Sequence, residues 1–302
     1  MKCTIVSFSD EKYFPLLREL VSSIRDLDVA GRCDISILNG GMRDDQLREM
    51  SSEVANIKNA EWDFDLPHLK KEPEYRKAFT CRPFLPKYFP GYDIYLWIDA
   101  DAWVSDWRAI EIFIEGASRG AIALTTEVDR AYARIGGFKR DYVLGVPIHF
   151  KPYLYTHTKA VFGRKLAYEL ALHPWLATGA FAIHSDAPHW EVWADYLEKA
   201  LAPGGMVFGA EEVAMKFVVY RESLKAELLP AWCSWICAKC VPLIDADTGK
   251  LVEPYLPHHP IGVVQLATLR KMRADPSVTV EVRSTDGSVY QRSLRYPAFQ
   301  RA

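Results

Sequence analysis

Apolar and polar positions follow two rhythms along this 302-residue chain. Residues 4–8 are a β-branched and aromatic run that predicts a strand. From residue 13 to residue 24 apolar side chains recur at Leu16, Leu17, Leu20, Val21 and Ile24, the spacing of one helix face. Residues 34–38 read as a second strand ended by Asn39-Gly40-Gly41, and residues 44–54 as a second helix. Strand and helix alternating in this way predict an α/β fold built on a mainly parallel sheet. After a polar stretch at 70–74, residues 75–88 predict a helix interrupted by Pro83 and Pro86 and stopped at Pro90-Gly91. The strand that follows, 92–98, is apolar nearly throughout, as a central strand covered on both faces must be. Shorter strands are expected at 121–124, 180–183 and 206–208, and helices at 107–116, 189–201 and 211–220. Residues 278–282 and 288–294 flank Asp286-Gly287, the signal of a small C-terminal β-hairpin. With no internal repeat or low-complexity linker, the chain divides into residues 1–270 and a C-terminal extension, 271–302.

Charge narrows the functions available. With 37 basic against 39 acidic residues, the chain lacks the basic footprint of a nucleic-acid-binding protein, so no nucleic acid is expected as a partner. The N-terminus has no long apolar run of the signal-peptide kind, and no stretch approaches about 18 uninterrupted apolar residues. No transmembrane segment is expected, and a cytoplasmic location is the default. The six cysteines do not form a secreted disulfide framework and are expected to be reduced. Three of them, Cys233, Cys237 and Cys240, have the spacing of the iron–sulfur loop of radical SAM enzymes. That loop follows an early strand of a barrel, however, and here Lys239 replaces its usual aromatic residue. Three thiolates with a nearby histidine would also suit zinc. Buried thiols are the plainer reading.

The chemistry that stands out is Asp99-Ala100-Asp101 at the end of the apolar strand. Alternate residues at a strand end point the same way, so both carboxylates can meet at the carboxyl edge of the sheet, where open α/β sheets bind ligands. Carboxylate oxygens suit Mn²⁺ or Mg²⁺, whose natural further ligand is a diphosphate. The plainer alternative is that the aspartates end a strand and cap a helix.

The stretch 92–104, YDIYLWIDADAWV, resembles the aspartate-motif region of GT-A (Rossmann-like) glycosyltransferases, family 8 and its relatives in particular. Further segments match in the same order along residues 1–266. Ser9-Asp10-Glu11-Lys12-Tyr13 resembles the family's first strand-to-helix turn, which holds the nucleobase. The resemblance implies that Asp10 and Tyr13 contact the base, with Ser7 or Ser9 adding a hydroxyl or backbone contact; a helix N-cap is the alternative. Arg82, seventeen residues before Asp99, lies near the family's basic residue on the nucleotide or donor sugar, and Lys77 is a second candidate for that role. Residues 175–182, WLATGAFA, resemble the segment whose small residues let the donor sugar approach the backbone, here Thr178-Gly179 without the family's asparagine. Glu211-Glu212 stands where relatives carry an Asp-Gln pair. A carboxylate there is suited to binding sugar hydroxyls, acting as a base or stabilising an oxocarbenium-like centre, while the helix dipole alone also favours acids in a first turn.

Residues 259–265, HPIGVVQ, resemble His-x-x-Gly-x-x-Lys, in which the histidine completes the metal site and the lysine grips phosphate. His259 and Gly262 match, but Gln265 replaces the lysine, so Arg270, Lys271 or a residue elsewhere must supply that charge. The resemblance implies a GT-A fold and transfer of a sugar from a nucleotide-sugar, with UDP-sugar as donor, to a hydroxyl on a glycan, lipid or protein, with the metal held by Asp99, Asp101 and His259. Family 8 retains anomeric configuration, whereas two glutamates equally suit an inverting base. Residues 130–165, rich in Tyr, His and Lys, are the expected acceptor wall.

Two other readings compete. A haloacid dehalogenase-like phosphatase also carries Asp-x-Asp after a strand, with the first aspartate as nucleophile, but on the first strand of its fold and with Thr or Val in the place of Trp103. A non-catalytic, nucleotide-binding member of the glycosyltransferase fold is the second, motivated by Gln265 and the missing asparagine. Sugar nucleotidyltransferases need a Gly-rich loop that 6–10 does not supply.

Overall fold

A computed structural model describes residues 1–28, 30–133, 138–204, 209–296 and 299. Its first half runs β1 (Cys3–Ser9), α1 (Phe14–Leu27), β2 (Cys33–Asn39), α2 (Asp44–Ser51) and β3 (Asn56–Asn59). The helix expected at 75–88 is instead a series of 3-10 turns, Glu74–Phe79 and Arg82–Phe84, and one helical turn, α3 (Leu85–Tyr88). Pro83 and Pro86 each remove a backbone donor, so no longer helix can propagate. There follow β4 (Ile94–Ile98), β5 (Ala102–Val104), α4 (Trp107–Ser118), β6 (Ile122–Thr126), β7 (Phe138–Val143) and β8 (Val146–Pro152). Next come α5 (Tyr153–Leu170), β9 (Leu176–His184), α6 (His189–Leu201), α7 (Ala210–Lys216), β10 (Ala226–Leu229) and β11 (Ser234–Ile236). The chain closes with β12 (Leu243–Ile244), β13 (Leu251–Val252), β14 (Val263–Gln265), α8 (Arg270–Ala274) and the hairpin β15 (Val280–Arg283) and β16 (Val289–Arg292). The helix expected at 211–220 ends at Lys216 and continues as a π turn, Phe217–Arg221. The strand expected at 206–208 lies outside the described residues.

Among the described residues the main sheet has seven strands in the order β10-β6-β9-β4-β1-β2-β3. It is mainly parallel, but β9 runs antiparallel to both its neighbours, β4 and β6. Every residue of β1 and β4 is buried, as their position inside the sheet demands. On one face of β4, Tyr95 and Trp97 join a core with α6 and α7; on the other, Ile94, Leu96 and Ile98 pack with α1 and α4. The apolar stripe of α1 buries Leu16, Leu17, Leu20, Val21 and Ile24. Asp10 organises its entry, Oδ1 accepting the Tyr13 backbone N–H at 2.8 Å.

A smaller sheet, β11-β14-β5, sits where β4 ends. Its β5 continues directly from the two aspartates, and β14 pairs antiparallel with it, Gln265 opposite Ala102 and Val263 opposite Val104. The residues after 270 share this region's core: Val282, Leu294 and Tyr296 pack with Trp103 and Trp235, and the Trp103 indole donates to the Leu294 carbonyl at 2.8 Å. Among the described residues no helix is long and apolar enough to cross a membrane.

Candidate active site

The antiparallel pairing of β4 with β9 places the site. Ile98 lies opposite Ala180, and the ladder extends one step further, the Asp99 N–H donating to the Gly179 carbonyl at 2.8 Å. Asp99 and the Thr178-Gly179 segment therefore face each other across the end of the sheet. At Gly179 a β-carbon would lie 3.2 Å from Asp99 Oδ2 and 3.2 Å from Gln265 Oε1. The absence of a side chain is what lets three strands converge there.

Arg82 is the centre of the cluster and is 4% exposed. Its Nη2 donates to Asp99 Oδ1 at 2.8 Å, and its Nη1 to Thr178 Oγ1 at 3.2 Å, while Glu211 Oε1 lies 3.5 Å from Nη1. The guanidinium carbon sits 4.8 Å from the centroid of the Trp97 ring, whose indole N–H donates to Asp99 Oδ1 at 2.7 Å. Trp97 was not among the residues expected here, although it lies two positions before Asp99 and so on the same side of the strand. Glu211 and Glu212 open α7 after Gly209, and Glu212 accepts the Trp175 indole N–H at 3.0 Å. One turn on, Lys216 is fully buried with its ammonium 3.2 Å from the Trp175 ring centroid. Arg82, Asp99, Thr178, Glu211, Glu212 and Gln265, with Glu127, Ser234 and Ala267, line a cavity of about 180 Å³.

Burial dominates the electrostatics. It pushes Asp99 up to about 6 against the opposing pull of Arg82, and Glu211 up to about 8 against the same guanidinium. Glu212 is raised by burial, and Lys216 is held down at about 8 by burial despite the neighbouring Glu212. Several polar atoms stay buried without a hydrogen-bond partner: Gln265 Oε1, Glu211 Oε2, Arg82 Nε and Lys216 Nζ. Acceptors and donors are thus left unspent in one place, a pattern folded proteins rarely tolerate without a ligand or water.

Other expected site residues lie elsewhere. Lys77 is paired with Glu74 and does not line the cavity. Ser7 and Ser9 are buried within β1, the Ser9 hydroxyl donating to the Asp10 carbonyl at 3.0 Å. Tyr13 is at the edge, with the Arg273 guanidinium carbon 5.6 Å from its ring centroid. Gly262 serves packing: a β-carbon there would lie 2.0 Å from Ala109 Cβ, so only glycine lets β14 approach α4. Cys233 and Cys237 are buried thiols and Cys240 is partly buried, all three free.

The metal set expected from the sequence does not form. Gln265 lies at the aspartate end of β14, where the Leu266 N–H donates to the Asp101 carbonyl at 2.9 Å. His259 lies beyond the opposite end, past Gly262, and stacks on Trp232 with ring centroids 5.3 Å apart. Among the described residues no group of three or more His, Cys, Asp or Glu side chains is arranged to hold a metal ion. Asp99 is paired with Arg82 and Asp101 with Arg273. A dication on Asp99 would stand within about 5 Å of the buried Arg82 guanidinium, a repulsion of roughly 3 kcal/mol per unit of its charge at an effective dielectric of about 20. The residues present therefore do not fit Mn²⁺ or Mg²⁺. The spacing read at 259–265 occurs a second time, from Gln265 through Thr268 to Lys271, and this copy begins beside Asp99. Thr268 there has φ of +66°, the left-handed backbone that glycine adopts most readily.

This architecture is the GT-A fold of glycosyltransferases. Among solved structures, the bifunctional glycosyltransferase WbbM superposes with a TM-score of 0.54 at 15% identity, over 88% of this chain and 46% of WbbM, so the chain spans about half of that protein. The galactosyltransferase LgtC, in complex with donor and acceptor sugar analogs, superposes with a TM-score of 0.52 at 11% identity over 87% of this chain and 86% of LgtC. An active-site variant of LgtC gives a TM-score of 0.51 at 12% identity. No family model matches the chain, and no curated protein matches its sequence. A GT-A sheet carrying Asp99 at the end of its fourth strand differs from the phosphatase arrangement, in which the nucleophilic aspartate ends the first.

Proposed function

We propose that this chain transfers a glycosyl group from a nucleotide-sugar, a UDP-sugar by its resemblance to family 8, to a hydroxyl acceptor. The observation that carries this reading is the set of unspent donors and acceptors around one small cavity. Sugar hydroxyls both donate and accept, and can satisfy Gln265 Oε1, Glu211 Oε2 and Arg82 Nε together. A cavity of about 180 Å³ is well below the 300–1,000 Å³ typical of drug-sized ligands, so it suits the donor's sugar ring and not the whole nucleotide. The nucleotide then lies toward Tyr13 and Asp10.

In the reaction the bond between the anomeric carbon and the diphosphate oxygen breaks, its electron pair leaving on the diphosphate. The acceptor oxygen forms the new bond to that carbon and loses its proton. Glu211 is engaged with Arg82, so Glu212 is the carboxylate that receives the proton, and Glu211 and Gln265 position the sugar. The cation expected from the sequence has no place in this scheme, because its ligands are not assembled.

The test is release of nucleoside diphosphate from a panel of nucleotide-sugars, followed with a range of hydroxyl acceptors. Glu212→Gln should lower kcat by about 10²–10⁴, the usual contribution of a positioned acid or base. Full activity in that variant would remove Glu212 from the mechanism, and binding without turnover of any donor would mark the chain as a nucleotide-binding member of the fold.

A further inference from the structure

Resting on the nucleotide-sugar reading, we propose that the diphosphate is neutralised by two of the chain's own guanidinium groups, Arg82 and Arg273, in place of a divalent cation. Both aspartates of the motif already face an arginine. Arg82 is held beside Asp99 by Thr178, Glu211 and the face of Trp97. Arg273 reaches across 172 residues of sequence to Asp101, whose Oδ2 it contacts, and lies over the Tyr13 ring.

Both guanidinium groups keep a donor in reserve. The Nε atoms of Arg82 and Arg273 have no hydrogen-bond partner and are closed to solvent, so each guanidinium has a donor its aspartate leaves unused, which a phosphate oxygen reaches once the side chain shifts toward it. The planar fork of arginine matches phosphate oxygens in pairs, and burial strengthens each such bond. Nearby, Gln265 has its amide nitrogen on Ser234 at 3.1 Å and offers only a neutral carbonyl oxygen where a third metal ligand would be required. Arg273 thus supplies the charge that Gln265 lacks, a role the sequence left open to Arg270, Lys271 or a residue elsewhere.

During transfer the C1–O bond electrons move onto the diphosphate. Arg273, at the Tyr13 edge of the site, meets that charge from the nucleotide side, and Arg82 from the sugar side. Asp101 positions Arg273 and does not touch the substrate.

The experiment is calorimetric titration with UDP, dTDP, GDP and ADP, each in excess EDTA and in Mn²⁺. One nucleotide is expected to bind in EDTA within about threefold of its affinity in Mn²⁺. Arg273→Ala should weaken that binding at least tenfold in EDTA, with Arg273→Lys recovering part of the loss. His259→Ala, beyond the far end of β14 and stacked on Trp232, should bind as wild type does and controls for disruption of the fold. Binding seen only with Mn²⁺ overturns the proposal while leaving the transferase reading intact. Binding unaffected by Arg273→Ala also overturns it. No binding of any diphosphate under either condition overturns both.

Discussion

Gly262 and Gln265, at the two ends of β14, are separated by only two residues, yet they have opposite uses. At one end Gln265 faces Asp99 across Gly179 and leaves a carbonyl oxygen without a partner. At the other, Gly262 is pressed against Ala109, and His259 beyond it stacks on Trp232. Both ends carry residues that suit a binding motif. What separates them is the neighbour: the aspartate-bearing turn on one side, the first turn of α4 on the other. A motif assigned by spacing alone acquires its meaning from the strand it pairs with.

That contrast can be broken most severely at the site end. Arg82→Ala leaves the buried Glu211 and the partly exposed Asp99 without their counter-charge, and breaking a buried pair typically costs about 3–5 kcal/mol. Thermal unfolding should show a drop of roughly 5–8 °C, and donor turnover should be lost. At the packing end, Gly262→Ala forces a methyl group against Ala109 and should destabilise by about 1–3 kcal/mol. A folded fraction of that variant should keep its nucleotide affinity, so calorimetry on it separates a structural glycine from a phosphate-binding one.

A smaller and pH-dependent effect is expected at Glu211. Its carboxyl titrates at about 8 in the folded chain, because burial outweighs the help of Arg82. An unfolded glutamate titrates near 4.3. Between those values the folded state holds a proton that the unfolded state has lost, so stability is greatest at the acid end of the window and falls as pH rises through it. Glu211→Gln should flatten the dependence of Tm on pH from about 5 to 8 and raise Tm at pH 8 by a few degrees. The smallest effect is that of His259→Ala, which loses one ring stack, worth about 0.5–1.5 kcal/mol, and should leave nucleotide affinity within twofold of wild type.

Much of the fold was legible because it is periodic. The strand and helix patterns of 4–38, the apolar run ending at Ile98, the helix at 189–201 and the Asp286-Gly287 hairpin carry local signals, and each element is present. The strands that escaped notice are short or polar. β3 reads Asn-Ile-Lys-Asn at the sheet edge, and β5 and β14 have three residues each, too few for any rhythm. The direction of β9 has no signature of its own, since its apolar run reads the same both ways. In the site, Asp99, Arg82, Thr178, Gly179, Glu211, Glu212 and Gln265 do gather around one cavity. Trp97 was readable from its position two before Asp99. Arg273 was not, because only the tertiary fold brings residues 172 apart into contact.

The core beneath the aspartate turn has a consequence for biosynthesis. Trp103, two residues past Asp101, is fully enclosed only when Leu294 and Tyr296 arrive. A ribosome adding about 5–20 residues per second delivers those side chains some 10–40 seconds after Trp103 has been made. Throughout that interval the indole lacks this part of its cover. The sheet edge that carries the aspartates is therefore completed only after Tyr296 has been made, and a nascent polypeptide stalled before that point would present part of this apolar surface to chaperones.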